Sequence, residues 1–275
     1  MILVTGATGN IGSVLVRQLA EQGVPARALT RDAKRAVVPS GVDVVEGDLG
    51  QPESLRPAWE GVESLFLLQT GNEDTEAVLR SAREAGVKHV VMVSSLLAET
   101  HPDSPIGGGA IQGEQVVRDS GMSWTILRPW EFASNALWWA QAIREQGVVR
   151  AAGGDAGSPV IDPADIASVA GRVLTERTHE ERIYSLTGPA EVTPRERVHS
   201  IGRVLGRDLV FEEMTVEEER ERLKQFMPAE VAESMVENDS GDDQGPGIRT
   251  AVEDVTGAPP RTFEQWAADH ADSFR

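Results

Sequence analysis

Apolar and polar positions follow two rhythms through the first half of the chain. Short apolar runs at Ile2–Thr5, Ala26–Thr30, Val42–Glu46, Ser64–Gln69, His89–Ser94 and Trp124–Leu127 predict six strands. Between them, apolar residues spaced three to four apart predict helices. One covers Ile11–Gln22, with Ile11, Leu15 and Leu19 on one face, and a short one covers QPESLRPAWEG with Pro52 near its start. Two more cover Glu73–Ala85, closed by Gly86, and Gln112–Ser120, closed by Gly121. Strand and helix alternate through short links, which predicts parallel strands buried between two helical layers. The expected fold class is therefore α/β, a doubly wound parallel sheet of Rossmann type.

The rhythm loosens after Arg128–Pro129. Ala133–Gln146 predicts a helix. The run SPVIDPADIASVAGRVLTE predicts a short strand, a proline turn and a helix capped by Asp162, and Ile183–Leu186 a late strand. Thr193, with Pro194 at the first helical position, opens a further helix. Strand LVFEE follows, then two helices in Val216–Asn238 split at Pro228, then the loop NDSGDDQGPG. The closing RTFEQWAADHADSF predicts a helix with Phe263, Trp266 and His270 on one side. The expected organisation is a first domain over residues 1–150 and a smaller C-terminal α/β lobe over 151–275, interleaved with the sheet.

Charge and composition narrow the functional classes. With 44 acidic against 26 basic residues the net charge is −18, which argues against a nucleic-acid partner, because backbone binding needs clustered Lys and Arg. No apolar run reaches the roughly 18 residues of a membrane span. Met1 enters a strand almost at once, leaving no room for a signal peptide, so the cytoplasm is the expected compartment. The chain has no cysteine, which excludes disulfides and thiolate chemistry, and its histidines show no metal-ligand spacing. No metal site is expected.

The opening MILVTGATGNIGSVLV places Gly6, Gly9 and Gly12 between a strand and a helix. In that context the first glycine permits the turn, the second admits a pyrophosphate to backbone N–H groups at the positive helix end, and the third lets helix and strand pack closely. Thr8, Asn10 and Ile11 complete the expected cradle. TGATGNIG also resembles the fingerprint of the short-chain dehydrogenase/reductase superfamily in its extended and atypical branch. GDLGQPESL, VVMVSS, GMSWTILRPWEF, IDPADIA, YSLTGP and TGAPPRTFEQWAADHADSF fall where the NmrA-like subgroup has corresponding segments, so the resemblance spans nearly the whole chain. That subgroup includes NADPH-dependent quinone and triphenylmethane-dye reductases, isoflavone-type reductases and redox-sensing regulators without catalytic activity. The resemblance implies an NAD(P)-binding first domain and a substrate or partner lobe behind it.

The second strand ends in Thr30–Arg31, where an NAD site usually carries an acid. Arg31, with Lys34 nearby, can pair with a 2′-phosphate, so NADP (NADPH) is favoured over NAD, with Asp32 as the contrary signal. Asp48 and Leu49 follow the third strand, where the family places its adenine contacts. Gln69–Thr70 and Ser94–Ser95 follow the fourth and fifth, at the edge where open α/β sheets bind ligands.

The usual proton donor is missing. The chain's single tyrosine, Tyr184, lies in the late strand, far from the slot of a Tyr-x-x-x-Lys pair. The lysine that isoflavone-type relatives keep before the sixth strand corresponds to Ala110. Three explanations stay open: an acceptor that needs little proton help, donation by His101 in the loop AETHPDSPIGGG, or no catalysis at all. Gly107–Gly109 in that loop suggest either a lid or a plain connection. Trp130, Phe132, Trp138 and Trp139, with Asn135 and Glu131 as polar neighbours, concentrate aromatics in a chain with 5% of them, which suits a planar aromatic substrate or, alternatively, core packing or an interface. The leading expectation is an NADPH-dependent reductase of a quinone-like or polycyclic aromatic molecule, working as a monomer or homodimer. The alternative is a dinucleotide-binding sensor that acts through protein contacts.

Overall fold

The computed structural model describes residues 1–69, 73–226, 228–238 and 245–275. Its strands are β1 (Ile2–Val4), β2 (Ala26–Thr30), β3 (Asp43–Glu46), β4 (Ser64–Leu68), β5 (His89–Val93), β6 (Ser123–Pro129), β7 (Val148–Ala151), β8 (Arg182–Leu186) and β9 (Val210–Glu213). Helices α1 (Gly12–Glu21), α2 (Thr75–Glu84), α3 (Leu97–Thr100), α4 (Pro105–Arg118), α5 (Ala140–Gln146) and α6 (Pro163–Thr175) accompany the first half and its junction. In the remainder are α7 (Pro194–Leu205), α8 (Val216–Leu223), α9 (Ala229–Asn238), α10 (Ala251–Thr256) and α11 (Phe263–Asp269).

Seven strands form one sheet in the order β3-β2-β1-β4-β5-β6-β8, every neighbouring pair parallel. Chain order reverses between β1 and β4, the position where such sheets open a ligand crevice. Leu15, Leu19 and Phe66 pack with Ile166 and Val173 of α6 on one face, and Leu65, Leu79, Met92 and Val117 on the other. A third core, with Ile143, Val149, Val198, Trp266 and Phe274, holds the lobe around the two-stranded β7–β9 sheet.

The expected strand at SPVI is absent. Its residues make two isolated bridges, Phe132 with Ile161 and Ser158 with Val192, because Pro159 interrupts the segment and the neighbouring chains diverge after one pair each. The expected helix at Gln112 starts seven residues earlier, at Pro105, so Gly107–Gly109 are its first turns and neither lid nor loop. Ser104 caps it, accepting the Gly107 N–H at 3.0 Å, and a Cβ on Gly107 would lie 2.0 Å from the His101 carbonyl. Here close packing of α3 against α4 overrides the poor helix propensity of glycine. Ala133–Gln146 is helical as expected, but its first half is 3-10. Most of the loop expected at NDSGDDQGPG lies outside the described residues.

Candidate functional site

The glycine turn and α1 form one unit. Gly6 has φ +60°, a left-handed conformation that L side chains rarely adopt. A Cβ on Gly12 would stand 2.2 Å from the Gly6 carbonyl oxygen, so only glycine lets α1 start this close to β1. The Thr5 hydroxyl accepts the Leu68 N–H at 2.8 Å, locking the turn to the end of β4. Gly6, Thr8, Gly9 and Asn10 are exposed, whereas the Ile11 side chain is in the core. No side chain caps α1, and its first turn holds no acid. Helices α2, α4, α6 and α7, of equal or greater length, are all capped by side chains. The positive end of the α1 dipole therefore faces the exposed glycine turn, unanswered by any side chain of its own, as a pyrophosphate site requires.

Beyond β2, Arg31 and Lys34 are exposed. Asp32 turns its carboxylate onto its own loop, accepting the Lys34 N–H at 3.0 Å. That Asx turn occupies the acid that otherwise points to NAD. Asp48 is half-buried and accepts the Gly50 N–H at 2.9 Å, and Leu49 packs against the second core.

Gln69 and Ser94, at the ends of adjacent strands β4 and β5, are half-buried, and the Gln69 amide donates to Thr75. Thr70 lies outside the described residues. Ser95 accepts the Leu97 N–H at 3.2 Å in a local turn. His101 ends α3 with Nδ1 2.9 Å from the Thr100 hydroxyl. Ala110 lies half-buried in α4 and supplies no titratable group.

One turn further along α4 is a group that the sequence reading missed. Glu114 is fully buried and receives Arg128 as a fork (Nε 2.8 Å, Nη2 2.7 Å), Arg118 at 2.8 Å and the Ser94 hydroxyl at 2.7 Å. Burial pushes its carboxyl up, but the hydrogen bonds from Arg128 and Ser94 and the charges of both arginines outweigh it and hold it below the ordinary range. The sequence signal was thin: an arginine directly after the apolar run of β6 and a Glu114/Arg118 pair at helical spacing.

The aromatic segment adjoins the glycine turn, since Asn10 Nδ2 donates to Ser134 Oγ at 3.1 Å. Trp130, Phe132, Asn135 and Trp139 are half-buried there. The Trp130 indole donates to Ser158 at 3.0 Å, while Phe132 packs against the sheet core and Trp139 against the lobe core. Glu131 is not a spare polar group: it pairs with the buried Arg197, 2.5 Å to Nη1, and accepts from Ser158 at 2.8 Å.

Nearby, Asp162 caps α6 and meets Arg261 Nε at 2.7 Å, and Asp165 accepts the Arg261 N–H at 2.8 Å. Burial pushes the Asp165 carboxyl up to about 7; the Arg261 hydrogen bond opposes this and the charge of Asp162 adds to it.

A doubly wound sheet with a glycine turn and an uncapped helix beside its switch point defines a dinucleotide-binding protein. The chain belongs to the NAD(P)H-binding family, matched over residues 6–177. It is 42% identical to (4-alkanoyl-5-oxo-2,5-dihydrofuran-3-yl)methyl phosphate reductase of Streptomyces griseus, covering 100% of this chain and 99% of that protein. Identity to NAD(P)H azoreductase of Xenophilus azovorans is 38%, over 100% and 99% of the two chains. The NADPH complex of an Escherichia coli NADPH-dependent quinone oxidoreductase superposes with a TM-score of 0.81 at 28% identity, over 98% and 99% of the chains. The resemblance to NmrA-like atypical reductases is borne out: the cofactor is NADP(H) and the reaction class is NADPH-dependent reduction. Among the described residues no helix is long and apolar enough to cross a membrane.

Proposed function

We propose that this reductase acts on a small planar conjugated acceptor, a quinone-like or furanone-type carbonyl compound or a polycyclic dye. The observation that carries the reading is Ala110: the helix slot that would supply a proton donor is apolar in a chain otherwise built as a reductase. NADPH, when bound, supplies a hydride. Addition of hydride to a quinone or an unsaturated lactone leaves a delocalised anion that water can protonate, and addition to a dye cation needs no proton. Orientation then provides most of the catalysis.

In this reading Gly6, Thr8, Gly9, Asn10, Ile11 and Gly12 with the α1 N-terminus hold the pyrophosphate, and Arg31 and Lys34 hold the 2′-phosphate. Asp48 and Leu49 line the adenine, and Gln69, Thr70, Ser94 and Ser95 line the nicotinamide. Trp130, Phe132, Asn135 and Trp139 face the acceptor, and His101 is the candidate for a protein-borne proton. Residues 1–150 form the cofactor-binding domain, whose last segment carries these acceptor residues, and 151–275 the lobe interleaved with the sheet, in the cytoplasm, as a monomer or homodimer. The comparison with the furanone phosphate reductase supports the lactone member of this class, since that relative matches along its whole length.

The test is NADPH oxidation against a panel of quinones, unsaturated lactones with and without a phosphate ester, azo dyes, triphenylmethane dyes and saturated ketones. Turnover is expected with conjugated members and not with saturated ketones, whose isolated alkoxide needs a proton donor. Tight NADPH binding with no turnover on any conjugated member would overturn the acceptor assignment in favour of a sensor.

A further inference from the structure

We infer that Glu114 is a positioning residue that fixes the Ser94 hydroxyl as a hydrogen-bond acceptor for the nicotinamide carboxamide N–H. This rests on the reading that the cofactor's nicotinamide lies over the ends of β4 and β5.

Oε1 of Glu114 accepts from Arg128 Nε at 2.8 Å and Ser94 Oγ at 2.7 Å, and Oε2 accepts from Arg128 Nη2 at 2.7 Å and Arg118 Nη2 at 2.8 Å. Guanidinium groups only donate, and a carboxylate between two of them stays ionised, so it only accepts. The single proton of Ser94 is thereby committed to Glu114. What remains on the half-buried Ser94 oxygen is lone pairs. A serine without such a partner rotates to donate or accept as its neighbour requires; this one presents an acceptor alone.

A primary carboxamide offers both an N–H pair and a carbonyl oxygen, so an acceptor of fixed polarity selects one face of it and hence one orientation of the ring. The approach of α4 makes this possible. A Cβ on Gly113 would lie 2.9 Å from Gln69 Oε1 and from Met92 Cε, so glycine brings the helix close enough for Glu114 to reach the end of β5. Arg128 alone would neutralise a structural carboxylate; Arg118 and Ser94 make the arrangement an oriented one.

The test compares NADPH with its reduced acetylpyridine analogue, in which a methyl ketone replaces the carboxamide and no N–H remains. Dissociation constants are measured by calorimetry without acceptor, for the wild type, Ser94→Ala, Glu114→Asp and Glu114→Gln. Aspartate keeps the charge between the arginines but withdraws it from Ser94, and glutamine keeps the shape but can donate to Ser94, so either folded variant suffices. The wild type is expected to bind NADPH about five- to tenfold tighter than the analogue, the value of one hydrogen bond. Ser94→Ala and a folded Glu114 variant should bring the two ligands within about twofold, as that bond is lost. A wild type without preference, or a preference that survives in Ser94→Ala, overturns the inference. So does a preference lost in Ser94→Ala but kept in the Glu114 variants. Gly9→Val separates the two levels: if it binds NADPH like the wild type, the cofactor-site reading itself fails.

Discussion

Helices α1 and α6 lie side by side on one face of the sheet, joined by a 3.0 Å hydrogen bond from Gln18 to Ser168. Both begin beyond the carboxyl ends of the strands, with the positive ends of their dipoles on that side. At α6 the chain answers this charge itself. Asp162 caps the helix, Asp165 sits in its first turn, and Arg261 balances the two acids. At α1 it answers with nothing: no cap, no first-turn acid, and an exposed glycine turn in front. The same element is finished in one place and left open in the other, and the open one is where an external anion is stabilised.

The comparison breaks most severely at Gly9. A Cβ there would stand 3.3 Å from the Gly6 carbonyl oxygen, close enough that the turn must give by a few tenths of an ångström, so Gly9→Val should fold with a modest loss in melting temperature while its branches fill the exposed surface of the turn. NADPH affinity by calorimetry is expected to fall at least about a hundredfold, nearly 3 kcal/mol.

The closed helix gives the next largest effect. Asp165 rises from 3.8 in the unfolded chain to about 7 in the fold, so between those values folding takes up a proton. Its contribution to stability is therefore present at low pH and lost as pH rises through that window. Asp165→Asn should remove this dependence, gaining about 2–4 kcal/mol relative to the wild type between pH ~4 and ~8. Urea unfolding at several pH values reads it; parallel curves for the two proteins would contradict the assignment.

The smallest effect makes α1 resemble α6. Ser13 is exposed in the first turn, and Ser13→Glu should stabilise the fold by about 0.5 kcal/mol while weakening NADPH binding several-fold. A variant that melts higher and binds equally well would mean the pyrophosphate is not at this helix.

The sheet and the glycine turn were legible because β1, β2, β4, β5 and β6 are apolar runs bounded by Gly, Pro or charge, and burial on both faces demands that pattern. β7, α3 and α10, of four, four and six residues, are too short to establish a period. The glycine run of α4 misled because local propensity predicts a loop where contact with the His101 carbonyl requires glycine. Glu114 was invisible for another reason. On a helix surface a glutamate reads as solvated, and only the packing of α4 over β5 and β6 brings Arg128 and Ser94 to it.

The bond between α1 and α6 spans 150 residues of sequence, and β8, which completes the sheet beside β6, ends at Leu186. As the chain leaves the ribosome, the apolar stripe of Leu15 and Leu19 therefore waits uncovered until α6 has been synthesised. The glycine turn is translated well before α6, yet it acquires its rigid backing only once that helix has been made. A nascent chain stalled or truncated before α6 would carry a complete dinucleotide fingerprint without the buttress that holds it in shape, and would be a substrate for chaperones before it was a ligand for NADPH.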